Sequence, residues 1–240
     1  MDFVVEDLTE STSPVLRLVD KMDELAEIYE GPLWYGIIDK TSAEFGLPSI
    51  EEGAKMMTEM VDAENGVGLD VACGTGFVTR HLAQKMRFVY GIDISMGMLE
   101  MATEYAREKG IGNVCFARGM AEKLPFPDDL FDGVTCSGAL HLFPDTVEAL
   151  SEMARVLKKG ARLAADTVVK EDLSARKRFF ECLGANAPFN EESPEVNEES
   201  PEILHIFDVE ELGNYLSQAG FKGFTYTIYG FFILFHAEKG

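Results

Sequence analysis

From Val67 onward the chain alternates short apolar runs with amphipathic stretches, the pattern of parallel strands joined by helices. Residues 68–71 read as a buried strand running into a glycine turn, with a helix over about 77–85. Residues 88–92 form a second strand with Asp93 at its C-terminal tip. Ser95 then stands as the N-cap of a helix over 96–109, closed by Gly110 and Gly112. Residues 114–117 and 133–137 are the third and fourth strands. A helix over 147–158 ends in basic residues and Gly160, as a helix C-terminus should, and 162–169 is the fifth strand. A last helix, 209–218, precedes two strand-like runs, 223–229 and 231–237. Gly230 joins them so closely that they must pair antiparallel. The expected fold is α/β, a mixed sheet of seven strands.

Two stretches fall outside this alternation. Residues 1–60 read as a helical cap carrying Tyr29, Trp34, Tyr35 and Phe45. Residues 171–208 interrupt the return of the chain to the sheet, so that the core is divided into 61–170 and 209–240. That insertion holds a tandem NEESPE repeat, 190–195 and 197–202, and reads as a solvated, mobile loop. Its position after a strand tip also suits a lid. Phe179, Phe180, Phe189 and Phe207 flank it; a ring of aromatics would suit an apolar acceptor, and core packing is the competing account.

Charge narrows the function. Lys and Arg number 21 against 42 Asp and Glu, a formal charge of -21 over 240 residues. Such a field repels phosphate backbones, and the longest basic grouping is Arg176, Lys177 and Arg178, so no nucleic-acid partner is expected. No apolar run is long enough to span a bilayer, and the acidic N-terminus does not look like a signal peptide. The chain reads as soluble and cytoplasmic, with two-fold homodimerisation as the general default. Cys73, Cys115, Cys136 and Cys182 are widely spaced without a CxxC pair, which argues against disulfides and a bound metal. Cys115 and Cys136 are expected on buried strands.

The candidate chemistry gathers at strand tips, where open α/β sheets bind ligands. The first element is Asp70-Val71-Ala72-Cys73-Gly74-Thr75-Gly76, a turn in which glycines let the backbone approach a ligand. Asp93 ends the adjacent strand and can accept hydrogen bonds from two ribose hydroxyls. Met120-Ala121-Glu122 follows the third strand, and Ser137-Gly138 ends the fourth. A dinucleotide site would need a third glycine where Thr79 stands, and no Gly-Lys-Ser/Thr marks a P-loop, so an adenosyl ligand without pyrophosphate fits better.

The DVACGTG turn, the VYGIDIS strand with Met98-Leu99, the GMAEKLPFPDDLFDGVTC block and the ARVLKKGARL segment resemble class I S-adenosylmethionine-dependent methyltransferases. The similarity leans to the small-molecule, quinone-biosynthesis branch. It implies a Rossmann-like sheet of order 3-2-1-4-5-7-6 with the last strand antiparallel, and S-adenosyl-L-methionine as cofactor, released as S-adenosyl-L-homocysteine. It implies that Asp70 and Ala72 to Gly76 line the methionine moiety and that Asp93 takes the ribose. Ile94 and Met98 would lie against the adenine, Ala121 would offer it a backbone N–H, and Ser137 and Gly138 would contact the sulfonium end. Tyr35 of the cap would close over the donor. Ala72 replaces a frequent glycine but is small enough to be harmless. Met120 replaces an Asp or Asn facing the adenine amino group and accepts hydrogen bonds poorly.

His141 is the candidate base, with a hydrogen bond to the loop 143–145 as the plainer account. His205 reads as a surface residue, and His81 and His236 receive no role. The acceptor is expected to be a small apolar or aromatic molecule. Two rivals stand beside methyl transfer: a nicotinamide-dependent oxidoreductase on a degenerate fingerprint, and a catalytically silent adenosyl-binding module that recruits a partner.

Overall fold

The structure, a computed structural model, describes residues 14–32, 34–186 and 205–240. Seven strands form one sheet: β1 (Val67–Val71), β2 (Phe88–Asp93), β3 (Val114–Arg118), β4 (Phe131–Cys136), β5 (Leu157–Val168), β6 (Phe221–Tyr229) and β7 (Phe232–Lys239). Their order is β3-β2-β1-β4-β5-β7-β6, the order the resemblance implies. The first five strands run parallel, and β7 is antiparallel to both β5 and β6. Gly230 makes the hairpin at φ 59°, a left-handed conformation that glycine adopts without penalty.

Strand alternation divides the core and places the chemistry. Leu69, Val71, Val134, Leu163 and Ala165 pack on one face with α6 (Thr146–Val156) and α8 (Val209–Gln218). Ala164 and Leu234 pack on the other with Ala54, Met57 and Val61 of α3 (Ile50–Val61) and with α4 (Phe77–Leu82). Asp70 lies between Leu69 and Val71, which face α6 and α8, so its side chain turns toward α4, where the Thr79 hydroxyl meets it. Helix α3 starts in a capping box in which Ser49 and Glu52 each accept a hydrogen bond from the other's backbone N–H. Ser95 caps α5 (Met96–Glu108) as expected, accepting from Met98 N–H at 3.1 Å.

Three expectations change. Helix α6 stops at Val156 rather than 158, because Leu157 is fully buried and already pairs with Phe131 on β4. Lys158 reaches Asp132 at 2.6 Å, and Gly160, at φ 78°, falls inside the long strand β5 where its pairing with β4 shifts register. The start of the insertion is a helix, α7 (Leu173–Asn186), whose Ala175 and Phe179 face Leu47, Val168 and Phe231. Cys115 is exposed rather than buried, whereas Cys136 is buried. The NEESPE repeat and Phe189 lie outside the described residues. Phe207 is buried in the sheet core with Leu212 and Leu216 and takes no part in a lid.

Before α3, the chain forms α1 (Pro14–Leu25), a short turn of 3-10 helix and α2 (Tyr35–Glu44), which lie over the C-terminal ends of the strands. Two polar ties hold this cap. The Asp23 carboxylate of α1 accepts from the Ser95 hydroxyl and, at 2.9 Å, from Gly97 N–H at the start of α5. Glu30 forms a buried ion pair with Arg80 of α4 and accepts the Thr75 hydroxyl at 2.6 Å. Arg80 also donates to the Thr75 carbonyl at 2.7 Å and lies over the rings of Phe77 and Tyr105. Cap and glycine turn are thus one hydrogen-bonded unit.

Candidate functional site

The turn after β1 carries the tightest backbone geometry in the sheet. Ala72, Gly74 and Gly76 all have positive φ, at 54°, 52° and 75°. The two glycines serve different ends. A Cβ on Gly74 would meet no atom within 4 Å and would project into open space, whereas one on Gly76 would lie 2.8 Å from the Phe116 ring. Gly74 therefore exposes backbone to a ligand, and Gly76 lets α4 pack against β3. Asp93 clamps the turn: its carboxylate accepts from Gly74 N–H at 2.8 Å and from Ser95 N–H at 2.9 Å. Burial pushes its carboxyl up, and the backbone donors pull it part of the way back.

Two cavities open on this turn, of about 270 and 150 Å³. Tyr29, Ala72, Gly74, Ser137 and Gly138 line both, so the two form one cleft across the tips of β1, β2 and β4. The smaller part is walled by Asp93, Ile94, Met98, Met120, Ala121 and Glu122. The larger is walled by Asp70, Cys73, Tyr35, Phe77, Phe179 and Asp166, among others. Of the residues singled out from sequence, Thr75 and Gly76 lie behind the wall, Thr75 being turned to Glu30. His141 lines neither cavity; its Nδ1 is 3.3 Å from the Thr167 hydroxyl on β5, and burial pushes the imidazole down to about 4. His205 is exposed and pairs with Glu211 at 3.0 Å.

The electrostatics are those of a site for positive charge. Asp70 accepts from the hydroxyls of Thr79 and Thr135, at 2.6 and 2.7 Å, and burial pushes its carboxyl up to about 6. Asp166 accepts from Ser137 Oγ at 3.0 Å and Gly138 N–H at 2.5 Å, and burial likewise raises it to about 6. Burial and the nearby Asp93 hold Tyr29 at about 12, so its phenol stays protonated. One oxygen of Glu122, Oε1, is buried beside the smaller cavity with no hydrogen-bond partner among the described residues. Among the described residues, no lysine or arginine stands in the wall of either cavity. No cluster of potential metal ligands occurs among the described residues.

Sequence reasoning missed Asp166, Glu30 and Arg80, and it preferred Tyr35 where Tyr29 borders both parts of the cleft. Strand alternation was the available signal for Asp166: it shares parity with Ala164, on the face that carries Asp70.

A family profile described as a methyltransferase domain matches residues 69–165. The crystal structure of a SAM-dependent methyltransferase from Aquifex aeolicus shares the fold, with a TM-score of 0.61 at 22% identity over 91% of this chain and 97% of that one. Demethylmenaquinone methyltransferase of Lactiplantibacillus plantarum is 30% identical over 185 residues, covering 73% of this chain and 78% of the relative. The chain belongs to the S-adenosylmethionine-dependent methyltransferases. Another relative, the uncharacterized methyltransferase YcgJ of Bacillus subtilis, is 41% identical over 121 residues. That match spans 50% of this chain and 47% of YcgJ, about half the length of each. The YcgJ crystal structure gives a TM-score of 0.60 at 26% identity, covering 74% and 71% of the two chains. The cofactor of this methyltransferase is S-adenosylmethionine, its product S-adenosylhomocysteine, and its fold the Rossmann-like seven-stranded class.

Proposed function

We propose that this methyltransferase acts on a small apolar or aromatic molecule, held in the larger cavity beside a donor that occupies the turn and the smaller cavity. The observation that carries the reading is the continuity of the cleft: one turn, with Asp93 clamped to it, borders both parts. When bound, the donor supplies an electrophilic methyl group on a cationic sulfur, and transfer is an in-line displacement. The residues present fit that group. The unpaired Glu122 Oε1 can accept an N–H from the adenine amino group, a contact that Met120 cannot make well. Gly74 leaves the backbone bare toward the cleft.

Asp93 would take the ribose hydroxyls with the lone pairs that Gly74 and Ser95 leave free. Ile94 and Met98 would pack on the adenine, and the Ala121 N–H would bond its ring. Asp70 and residues 72–74 would face the methionine part, with Thr75 and Gly76 holding the turn in shape. Ser137 and Gly138, shared by both cavities, would stand where donor and acceptor meet. Tyr29 and Tyr35 close the cleft from above and exclude water, so the enzyme contributes mainly positioning. A cavity of this size under a cap supports a small acceptor rather than a nucleic acid.

Calorimetric titration with S-adenosylhomocysteine tests the assignment. Asn at position 93 can still accept from Gly74 N–H but not also from Ser95 N–H, so Asp93→Asn keeps the contact to the turn, gives up the one to Ser95 and weakens the ribose contacts. An affinity loss of about 100-fold is expected for two charge-assisted hydrogen bonds. Unchanged affinity would remove Asp93 from the donor site.

A further inference from the structure

Among the described residues, the larger cavity holds one carboxylate that the donor assignment does not use. Asp166 sits at the tip of β5, beyond Ser137 and Gly138 as seen from Asp93 and the turn, and its carboxylate faces the cavity. We infer that the acceptor is a compact organic amine, an apolar body that enters with one protonated nitrogen, and that Asp166 binds this nitrogen and takes its proton, which frees the lone pair that forms the N–CH3 bond as the donor's S–CH3 bond breaks. The inference rests on the donor reading above and refines it from a small apolar molecule to this class.

Charge decides among acceptors. An acceptor that reacts as an anion, such as a phenolate, needs a cation nearby, and among the described residues no lysine or arginine lines the cavity. It would also face Asp70 and Asp166 across the same space. A protonated amine meets the reverse situation. Among the described residues Asp166 has neutral partners, the Ser137 hydroxyl and the Gly138 N–H, and no cationic one. That is why burial alone lifts its carboxyl to about 6, with no cation to lower it. Tyr29 from the cap and Cys136 from β4 also feel this carboxylate, and neither carries positive charge.

The rest of the wall suits the body of such a molecule and tolerates its charge. Tyr35, Phe77, Phe179, Tyr229 and Phe232 contribute ring surface, which packs on apolar groups and attracts cations through the ring quadrupole. Asp70 is less suited to be the amine's partner, since both its oxygens are taken by threonine hydroxyls beneath the donor turn. The net charge of -21 draws cations toward the molecule as a whole.

The test uses 2-phenylethylamine and its neutral isostere 2-phenylethanol. Each is titrated calorimetrically at neutral pH into the full chain saturated with S-adenosylhomocysteine, for the wild type and for Asp166→Asn. The variant can keep both native contacts: its Oδ1 accepts from Gly138 N–H and its Nδ2 donates to Ser137 Oγ. The wild type should bind the amine at least about tenfold tighter than the alcohol, as a charge-assisted hydrogen bond provides. Asp166→Asn should lose that preference while keeping its affinity for S-adenosylhomocysteine within about twofold. The inference is overturned if the wild type takes neither probe or shows no preference, or if the preference survives in the variant. It is also overturned if the variant loses S-adenosylhomocysteine in parallel, because Asp166 would then serve the donor. A wild type that fails to bind S-adenosylhomocysteine in the first titration would sink the donor reading, and this inference with it.

Discussion

Ala72 shows how a single side chain can be harmless by size and costly by conformation. Its φ of 54° places a Cβ-bearing residue where glycine is at ease, at the first turn position after β1. Ala72→Gly should relieve that strain, partly offset by the greater freedom of glycine in the unfolded chain. A gain of about 0.5–1 kcal/mol in denaturant unfolding is expected; a loss of stability would mean that the methyl group contributes packing that outweighs the strain. Asp70 supplies a second residue-scale prediction. Its folded carboxyl is raised to about 6 from an ordinary 3.8, so the native state holds its proton more tightly than the unfolded chain. That contribution favours the native state below about pH 4 and is lost as the pH rises through about 6. Asp70→Asn should therefore be ~2 kcal/mol more stable than the wild type near pH 8 and equal to it near pH 4. Thermal unfolding across that range checks it; a constant difference at all pH values would show that the carboxylate is not held against its charge. The residues of the cleft differ in how readable they were. Asp70, Gly74 and Asp93 announce themselves by standing at the ends of apolar strands. Asp166 does not, since only the register of β5 decides that it, and not Thr167, faces the cleft.

At the scale of elements, the cap is held by an apolar contact of Leu25 and Ala26 with Met98 and by a buried ion pair. Glu30 and Arg80 are almost fully buried and 50 positions apart, a pairing that no local pattern could reveal. Breaking one partner leaves the other uncompensated, which costs about 3–5 kcal/mol for a buried pair. Glu30→Ala should lower global stability by an amount of that order and also weaken S-adenosylhomocysteine binding, because Thr75 and the cap lose their common anchor. Full retention of binding alongside lost stability would show that the cap and the turn act independently. The strands and helices of the sheet were legible because alternation and periodicity repeat over several residues. Two boundaries were not. Lys158 and Lys159 look like the end of a helix, yet a buried Leu157 had already begun β5. In α7 the apolar residues follow no single face: Ala175 and Phe179 are buried against Leu47, Val168 and Phe231 while Leu173 is exposed, and it is tertiary packing that fixes the helix.

The whole molecule combines a strongly acidic chain with a cleft that, among the described residues, presents carboxylates and no cationic side chain from its walls. The family was readable from the order of its motifs, each at a strand tip of one sheet, whereas the cap and α7, which help wall the larger part of the cleft, are marked by no motif. No helix among the described residues is long and apolar enough to cross a membrane. A cationic ligand should bind more tightly as the pH rises through about 6, where Asp70 and Asp166 give up their protons. Uptake measured across that range would show affinity flat or falling with pH if these groups were not in the site. The central claim is that the cleft over β1, β2 and β4 is an adenosyl site. The most direct measurement is thermal unfolding with and without S-adenosylhomocysteine, with NAD as the control. At ~100 times Kd, binding to the native state adds about 2.7 kcal/mol, a rise of roughly 5–11 °C for a chain of this size. A rise in that range with S-adenosylhomocysteine and none with NAD is the result predicted here, and no rise, or an equal rise with NAD, would contradict it.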